Sequence, residues 1–201
     1  NNLAGQTIGH GLSSTPELYI IKKTNATLGW QVNLSSLVTG TEGYLLLDRD
    51  LSMYTTFPNY YTSANNTVLF TNGTSTAERQ YNNQSANYIA YAFHSVDGFS
   101  KIGSYVGNGS VTGPTIVTGF EPAFLLVKKT SSAGASWVML DNKRSTGNPR
   151  DDRQLADQTL ADGSGTPVNF YSNGFQPANT SGGSNTGGAT YIFMAFAADP
   201  T

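Results

Sequence analysis

A six-residue apolar segment that occurs twice constrains this chain more than any other feature of its sequence. The first copy reads Tyr88-Ile-Ala-Tyr-Ala-Phe93, and the second copy, 103 residues later, reads Tyr191-Ile-Phe-Met-Ala-Phe196. Each copy follows a stretch rich in Gly, Ser and Asn and ends in a short turn. Because the offset is near half of the 201 residues, the segment indicates two copies of one unit.

Further matches occur in the same order in both halves. Pro16-Glu-Leu-Tyr-Ile-Ile-Lys-Lys-Thr24 matches Pro122-Ala-Phe-Leu-Leu-Val-Lys-Lys-Thr130. The other matched pairs are Thr7-Ile8 with Thr115-Ile116, Trp30 with Trp137, and Asn72-Gly73 with Asn173-Gly174. The offsets range only from 101 to 108, so we predict one repeat at 1–104 and a second at 105–201. The second repeat has a lead-in that the first lacks, so we expect a fragment of a longer protein or a chain whose N-terminus is not seen.

The repeated segments have the pattern of short strands. Leu18–Ile21 is an apolar run that is too short for a helix, and Trp30, Val32 and Leu34 alternate with polar residues. Strands of this kind, separated by frequent turn signals, predict an all-β fold, a tandem duplicated antiparallel β-sandwich of jelly-roll or lectin-like type. Whether the halves form two sandwiches or share one pseudo-symmetric sandwich stays open.

Three expectations concern individual segments of this fold. The segment 87–94 is apolar on both faces, so we place it in the centre of a sheet. The charged stretch that ends near Arg153 is expected to continue into one helical turn at 154–161. The Gly- and Ser-rich stretch 179–188 is expected to be a flexible loop within the second repeat.

Composition excludes several classes of function. Charged residues are 12% of the chain and the net charge is −2, so we expect no nucleic-acid partner. The absence of cysteine rules out disulfides, thiolate catalysis and cysteine-ligated metals. No apolar run approaches the roughly 18 residues of a membrane span, so we expect no membrane insertion.

The sequence gives little support for catalysis. The two histidines, His10 and His94, lie outside any nucleophile-elbow pattern, and we expect both to be structural. Paired carboxylates could hydrolyse a polysaccharide, but Asp151 and Asp152 are flanked by Arg150 and Arg153, which favours ion pairing. We therefore predict a protein that is not an enzyme, without catalytic residues, cofactor or metal site, and a polysaccharide depolymerase is the weakest alternative.

Two segments are candidates for ligand binding. The first is aromatic and could stack on sugar rings while asparagine holds hydroxyl groups. The second is a charge-dense loop. The candidate residues are Tyr54, Phe57, Asn59, Tyr60 and Tyr61 in the first segment, and Lys143, Arg144, Arg150 and Arg153 in the second. Packing onto the sheet or a neighbouring subunit is the alternative role of the aromatic residues.

The motifs of both halves resemble a known group of repeats. The second half carries Gly107-Asn-Gly-Ser110, Thr118-Gly-Phe-Glu-Pro-Ala-Phe124, Asn148-Pro149 and Ser172-Asn-Gly-Phe175, and the first carries His10-Gly-Leu and Gly98-Phe-Ser-Lys-Ile-Gly-Ser-Tyr105. Together they resemble the tandem repeat of structural proteins in tailed, mostly marine, bacteriophages. These are strand and turn residues, and the resemblance brings no catalytic residues with it.

The resemblance implies a location more than a chemistry. It implies a module of a tail fibre or other virion appendage, assembled with other virion proteins and contacting a host cell-surface glycan. Threefold symmetry is usual in phage fibres, so it also implies a homotrimer. A capsid decoration or head-fibre protein with a purely structural role is the alternative.

Overall fold

The computed structural model describes residues 6–34, 43–55, 62–64, 68–71 and 86–199, and within them every regular element is a β-strand. The strands of the first half are β1 (Gln6–Gly9), β2 (Leu18–Lys23), β3 (Gln31–Leu34), β4 (Tyr44–Leu46), β5 (Thr62–Ala64), β6 (Val68–Thr71) and β7 (Tyr88–Phe93). Those of the second half are β8 (Ser100–Val106), β9 (Ile116–Val117), β10 (Pro122–Lys129), β11 (Val138–Asp141), β12 (Arg153–Leu155), β13 (Val168–Tyr171), β14 (Gly174–Pro177) and β15 (Thr190–Ala197). None of the described segments is a helix that could cross a membrane.

The chain divides into two compact units. The first comprises residues 1–48 and 53–94, and the second comprises residues 49–52 and 95–201. The boundary predicted between residues 104 and 105 falls inside β8. That strand belongs to the second unit, because its whole length from Ser100 to Val106 pairs with β15.

The described strands of each unit form two antiparallel sheets. In the first unit the strand orders are β4-β3-β2-β7 and β1-β6-β5. In the second unit they are β12-β11-β10-β15-β8 and β9-β14-β13. The all-β, antiparallel architecture expected from the alternating pattern is confirmed.

The two units share one strand order. Taken along the chain, β1 to β7 pair with one another in the same way as β9 to β15, and β8 is the additional strand of the second unit. The match extends to side chains: the backbone N–H and the hydroxyl of Thr24 both donate to the Asn87 carbonyl, at 2.9 and 3.2 Å. Thr130 donates in the same two ways to the Thr190 carbonyl, at 2.9 and 3.2 Å. Duplication of one ancestral unit stays a prediction, and the shared strand order agrees with it.

Both sheets of the second unit contribute to one hydrophobic core. The five-stranded sheet supplies Leu125 from β10 and Phe193 from β15, while the three-stranded sheet supplies Phe170 from β13 and Phe175 from β14. Phe175 and Phe193 meet edge to face with their ring centroids 5.1 Å apart. Two sheets that face each other across a shared core form a β-sandwich, as the sequence predicted.

The repeated apolar segment has different surroundings in the two units. In the second unit β15 lies between β10 and β8, but in the first unit β7 is at the edge of its sheet among the strands that the structure describes. The prediction of a central position was wrong for β7. Apolar residues on both faces of a strand indicate which faces are covered, and they carry no information about its two edges.

Two predictions about segments of the second unit are also corrected. Arg153–Leu155 forms β12, which pairs with β11, instead of opening a helical turn. The stretch 179–188 was expected to be flexible, but the buried side chain of Asn185 ties it to the segment after β8. The Nδ2 of Asn185 lies 3.0 Å from Asn108 Oδ1 and 2.7 Å from the Ser110 carbonyl. A buried amide with these partners holds the loop in place.

Candidate functional site

The charged loop between β11 and β12 begins with a carboxylate that folds the chain back. Oδ1 of Asp141 accepts hydrogen bonds from the backbone N–H groups of Lys143 and Arg144, both at 2.8 Å. Oδ2 of Asp141 lies 3.2 Å from Nε of Arg144. An aspartate that accepts bonds from the following backbone is a common turn device, and here it also positions a cation.

Ser145 closes the loop from its other side. Its hydroxyl accepts hydrogen bonds from the backbone N–H groups of Asp151 and Asp152, at 3.2 and 2.9 Å. Its carbonyl accepts a hydrogen bond from Arg150 at 2.6 Å. The residues between Ser145 and Asp151 are therefore held as a closed turn, which contains a cis peptide bond between Asn148 and Pro149.

Arg150 is buried and packs inside the second unit. Its guanidinium lies 5.7 Å from the centroid of the Phe170 ring, and one of its nitrogens is 4.0 Å from Glu121. Nearby, the side-chain amide of Asn148 donates to the Phe170 carbonyl at 2.6 Å and its Oδ1 accepts from the Phe170 N–H at 2.9 Å. Arg150 therefore stabilises the loop against β13 and is not presented to a ligand.

Arg153 also bonds within the protein. Its guanidinium donates to the hydroxyl of Thr166. Asp151, which was expected to pair with a neighbouring arginine, accepts hydrogen bonds through Oδ1 from the N–H groups of Gly165 and Thr166, at 2.7 and 3.0 Å. These contacts tie the charged loop to the segment that precedes β13.

Lys143 and Arg144 remain as the exposed cations of the loop. Arg144 is oriented by Asp141, by Asp162 at 3.5 Å and by the side-chain oxygen of Gln154 at 2.8 Å. Lys143 is exposed, and its backbone is fixed by Asp141. The structure thus brings two of the four predicted basic residues to the surface together, and it uses Arg150 and Arg153 to hold them there. Such a pair can donate hydrogen bonds to hydroxyl or acidic groups.

Of the five candidate residues in the aromatic segment, the structure describes Tyr54. Tyr54 stacks on Tyr44, with ring centroids 4.8 Å apart and an angle of 11° between the planes. The two residues also exchange backbone hydrogen bonds at 3.2 and 2.9 Å. Tyr54 is half-buried and serves packing. The other members, Phe57, Asn59, Tyr60 and Tyr61, lie outside the described residues, and their sugar-binding role stays a prediction.

One structural role that recurs in both units was not foreseen. The Asp157 carboxylate accepts a hydrogen bond from the N–H of Trp137 at 2.8 Å, and Asp48 does the same for Trp30 at 2.9 Å. The matching tryptophans were visible in the sequence. Their acceptors follow them by 20 and 18 residues, in segments without other matched residues, so spacing alone could not have identified them.

Both histidines contact residues of the first unit. Nδ1 of His10 accepts a hydrogen bond from the N–H of Leu12 at 3.1 Å, and Nε2 of His94 lies 3.4 Å from the hydroxyl of Ser13. In the part of the chain that the structure describes, no three His, Asp or Glu side chains are grouped so that they could hold a metal ion.

Burial changes the titration of one lysine in the second unit. Lys128 is fully buried, and its ammonium donates to the carbonyls of Lys129 and Ala135 at 2.9 and 2.8 Å. Desolvation lowers the pKa of Lys128 to about 8, although Asp157 and Asp50 act in the opposite direction. Because both carbonyls are backbone groups, the bonds of Lys128 give it a structural role at the end of β10.

Comparison with known proteins identifies the family of the chain, and that family has no described activity or ligand. No curated protein and no solved structure has significant similarity to the chain. One family model, described as a domain of unknown function and designated DUF7483, matches residues 1–200. The match spans both units. The chain belongs to the DUF7483 family.

Proposed function

We propose that the chain is a non-enzymatic structural module of a bacteriophage virion, part of a tail fibre or surface appendage that attaches to the host. The observation that carries this proposal is the shared strand order of the two units within one chain. Compact units that follow one another in a chain each have their own hydrophobic core, and such repetition suits a structural protein of a virion. The resemblance of the strand and turn motifs to phage structural repeats supports a location on the virion.

The attachment role draws on the loop between β11 and β12. A rigid loop on a packed sheet is the usual place for recognition, because the scaffold fixes it while its exposed residues vary. Asp141 and Ser145 hold this loop from its two ends, and Lys143 and Arg144 stand exposed on it. Hydrogen-bond donors at these positions suit an acidic or hydroxyl-rich host glycan.

Weak binding at one loop suffices if the particle carries several copies. In a trimeric fibre three loops would engage the same cell surface, and the effective concentration of the second and third loops would be high. This geometry turns a weak single contact into stable attachment, and no enclosed pocket is needed.

Competition for adsorption tests the attachment role. Purified chain is mixed with host cells before the phage is added, and the unadsorbed phage is counted. We expect the chain to lower adsorption, and the Lys143→Ala variant to compete several-fold less well. The matched control is Arg49→Ala, which removes another exposed cation of the second unit and should compete like the unaltered chain.

Two outcomes would count against this role. If the chain does not reduce adsorption at any concentration, it is not a receptor-binding module. If Lys143→Ala and Arg49→Ala weaken competition equally, the attraction is a general charge effect and the loop has no specific part. The same assay applies to Tyr60→Ala and Tyr61→Ala, which are expected to abolish cell binding without unfolding if the aromatic segment holds sugar.

A further inference from the structure

Among the described strands, none pairs with the outer edge of β7, whereas the same edge of its counterpart β15 has a neighbour. In the second unit β15 pairs on one side with β10 and on the other with β8, through seven residues from Ser100 to Val106. In the first unit β7 pairs with β2, and no described strand lies on its other side. Since the two sheets otherwise have the same order, the position of β8 is the difference between them.

The hydrogen-bonding phase of β7 follows from its pairing with β2. The N–H of Thr24 donates to the Asn87 carbonyl at 2.9 Å, in the same register as the rest of the β2–β7 ladder. Hydrogen-bonded and non-hydrogen-bonded pairs alternate along an antiparallel ladder. Asn87, Ile89 and Tyr91 therefore bond towards β2, while the backbone groups of Ala90 and Ala92 face the outer edge.

The side chains of β7 are exposed where those of β15 are buried. Ile89 is 40% exposed and Tyr91 is 44% exposed, whereas their counterparts Ile192 and Met194 are 1% and 7% exposed. Tyr91 also stacks on Trp30, with ring centroids 6.5 Å apart. An edge strand with apolar side chains and no charge is a template for strand addition, and proteins usually protect such edges.

We propose that the outer edge of β7 is a strand-addition site, and that its occupant is an extended segment of the β8 type supplied by another repeat of the same kind. The second unit shows what covers this edge in the same fold. The β7 strand itself contains no Lys, Asp, Glu or Pro that would oppose pairing. The occupant would extend the four-stranded sheet to five strands and cover Ile89 and Tyr91.

The geometry also specifies how the occupant differs from β8. Opposite Phe193, β8 carries Gly103, because a Cβ at that position would lie 2.8 Å from the Phe193 ring. The counterpart of Phe193 in β7 is Ala90, whose methyl group is much smaller than the Phe193 ring and is exposed. The occupant can therefore carry a residue larger than glycine opposite Ala90, and we expect an apolar residue opposite Tyr91, as Ile102 is opposite Met194.

An N-terminal extension of the chain tests the proposal. The sequence of residues 95–108 is joined directly ahead of Asn1, which gives the added strand the same spacing from Ile8 that β8 has from Ile116. In a second extension the copy of Gly103 is replaced by valine. In a control extension the copies of Lys101 and Gly103 are replaced by proline, which removes the N–H groups that would bond to the edge.

The readout is amide hydrogen exchange of Ala90 and Ala92. We expect exchange to slow roughly tenfold with the first extension, more with the valine extension, and not at all with the proline control. Exchange of Phe193 and Ala195 should stay the same in all samples. Unchanged exchange at Ala90 and Ala92 in both test extensions would overturn the proposal.

The unextended chain supplies a second test. If Ala90 and Ala92 are already protected there, and if protection grows with protein concentration, the edge is occupied by β7 of a second molecule. That result would also overturn the assignment of a β8-type strand. Light scattering on the same samples measures the mass of the particle and so separates the two occupants.

Discussion

The carboxylate of Asp157 accepts a hydrogen bond from the backbone N–H of Trp137 at 2.8 Å. The bond begins β11, which follows at Val138, and the carbonyl of Trp137 accepts a second bond from Ala156 at 3.0 Å. In the first unit the N–H of Trp30 donates to Asp48 at 2.9 Å and its carbonyl accepts from Leu47 at 2.8 Å. The same two contacts thus fix the start of β11 in the second unit and of β3 in the first.

Removal of this acceptor should destabilise the second unit. Asp157→Ala leaves the partly buried N–H of Trp137 without its partner, so we expect the free energy of unfolding to fall by about 1–2 kcal/mol. Asp157→Asn keeps a side-chain oxygen and should lose less. Urea unfolding followed by circular dichroism measures the difference, and Asp152→Ala, at an exposed carboxylate of the same loop region, is the control. If Asp152→Ala lowers the free energy of unfolding by as much, the hydrogen bond between Asp157 and Trp137 has no special role in stability.

Stability should rise with pH between about 8 and 10. Burial lowers the pKa of Lys128 to about 8, whereas an unfolded lysine has a pKa of about 10.4. Between these values the unfolded chain binds the proton that the folded chain has released, so unfolding becomes harder as the pH rises. One proton gives at most about 1.4 kcal/mol per pH unit.

Lys128→Met is the test of that pH dependence. The variant should lose the rise in the free energy of unfolding between pH 8 and 10, measured by urea unfolding at each pH. Burial, with a smaller contribution from Tyr191, raises the pKa of Tyr105. Above the pKa of an unfolded tyrosine, the unfolded chain loses a proton that folded Tyr105 keeps, so the free energy of unfolding falls as the pH rises. The pH series therefore stops near pH 10. An equal rise in Lys128→Met would assign the effect to another group.

Gly103 should tolerate no side chain while Phe193 is present. A Cβ at Gly103 would lie 2.8 Å from Cε1 and Cζ of Phe193, which is buried in the core. We expect Gly103→Val to cost about 1–3 kcal/mol, the usual range for overpacking. Ser104→Val, at the exposed neighbouring position of β8, should change stability little.

A double variant isolates the cause of that loss. If the Phe193 ring is the obstacle, the cost of Gly103→Val should be smaller in a Phe193→Ala background, as thermal unfolding of the four variants would show. If the two losses in stability simply add, the cost of Gly103→Val comes from the backbone at Gly103 and not from a clash with the Phe193 ring.

Arg150 should be irreplaceable by lysine. Its guanidinium bonds to the Ser145 carbonyl at 2.6 Å and packs at 5.7 Å from the Phe170 ring. A lysine keeps the charge but loses the planar group, so we expect Arg150→Lys and Arg150→Ala both to lower the free energy of unfolding by about 1–3 kcal/mol. Lys143→Ala should be neutral in the same urea experiment. Full stability of Arg150→Lys would show that charge alone holds the loop.

The sequence predicted the elements that depend on local pattern. The apolar run Leu18–Ile21 lies in β2, and both copies of the repeated segment form strands, β7 and β15, as expected. The central position predicted for the copy in the first unit was wrong. The sequence of a strand shows which of its faces are apolar, but it does not show which strands pair with its edges. Arg153 was expected before a helical turn, but its partner Leu140 on β11 makes it a strand residue, and that pairing is long-range.

The candidate site was predictable by location and not by role. The density of charge identified the loop that contains Lys143 and Arg153. Charge density alone does not distinguish the exposed Lys143 from the buried Arg150. Arg150 is buried because it packs against Phe170 and bonds to Ser145, and Phe170 lies on β13, which the local sequence does not reveal as a neighbour. Acceptors such as Asp157 gave no signal for the same reason.

Location of the chain on the phage particle is the most direct test of the proposed function. Antibodies against the purified chain are applied to intact virions and viewed by immunogold electron microscopy. We expect label along tail fibres or other appendages, at a constant position on every particle. Label on the capsid would support the decoration role instead, and absence of the chain from purified particles, checked by mass spectrometry, would contradict a structural role in the virion.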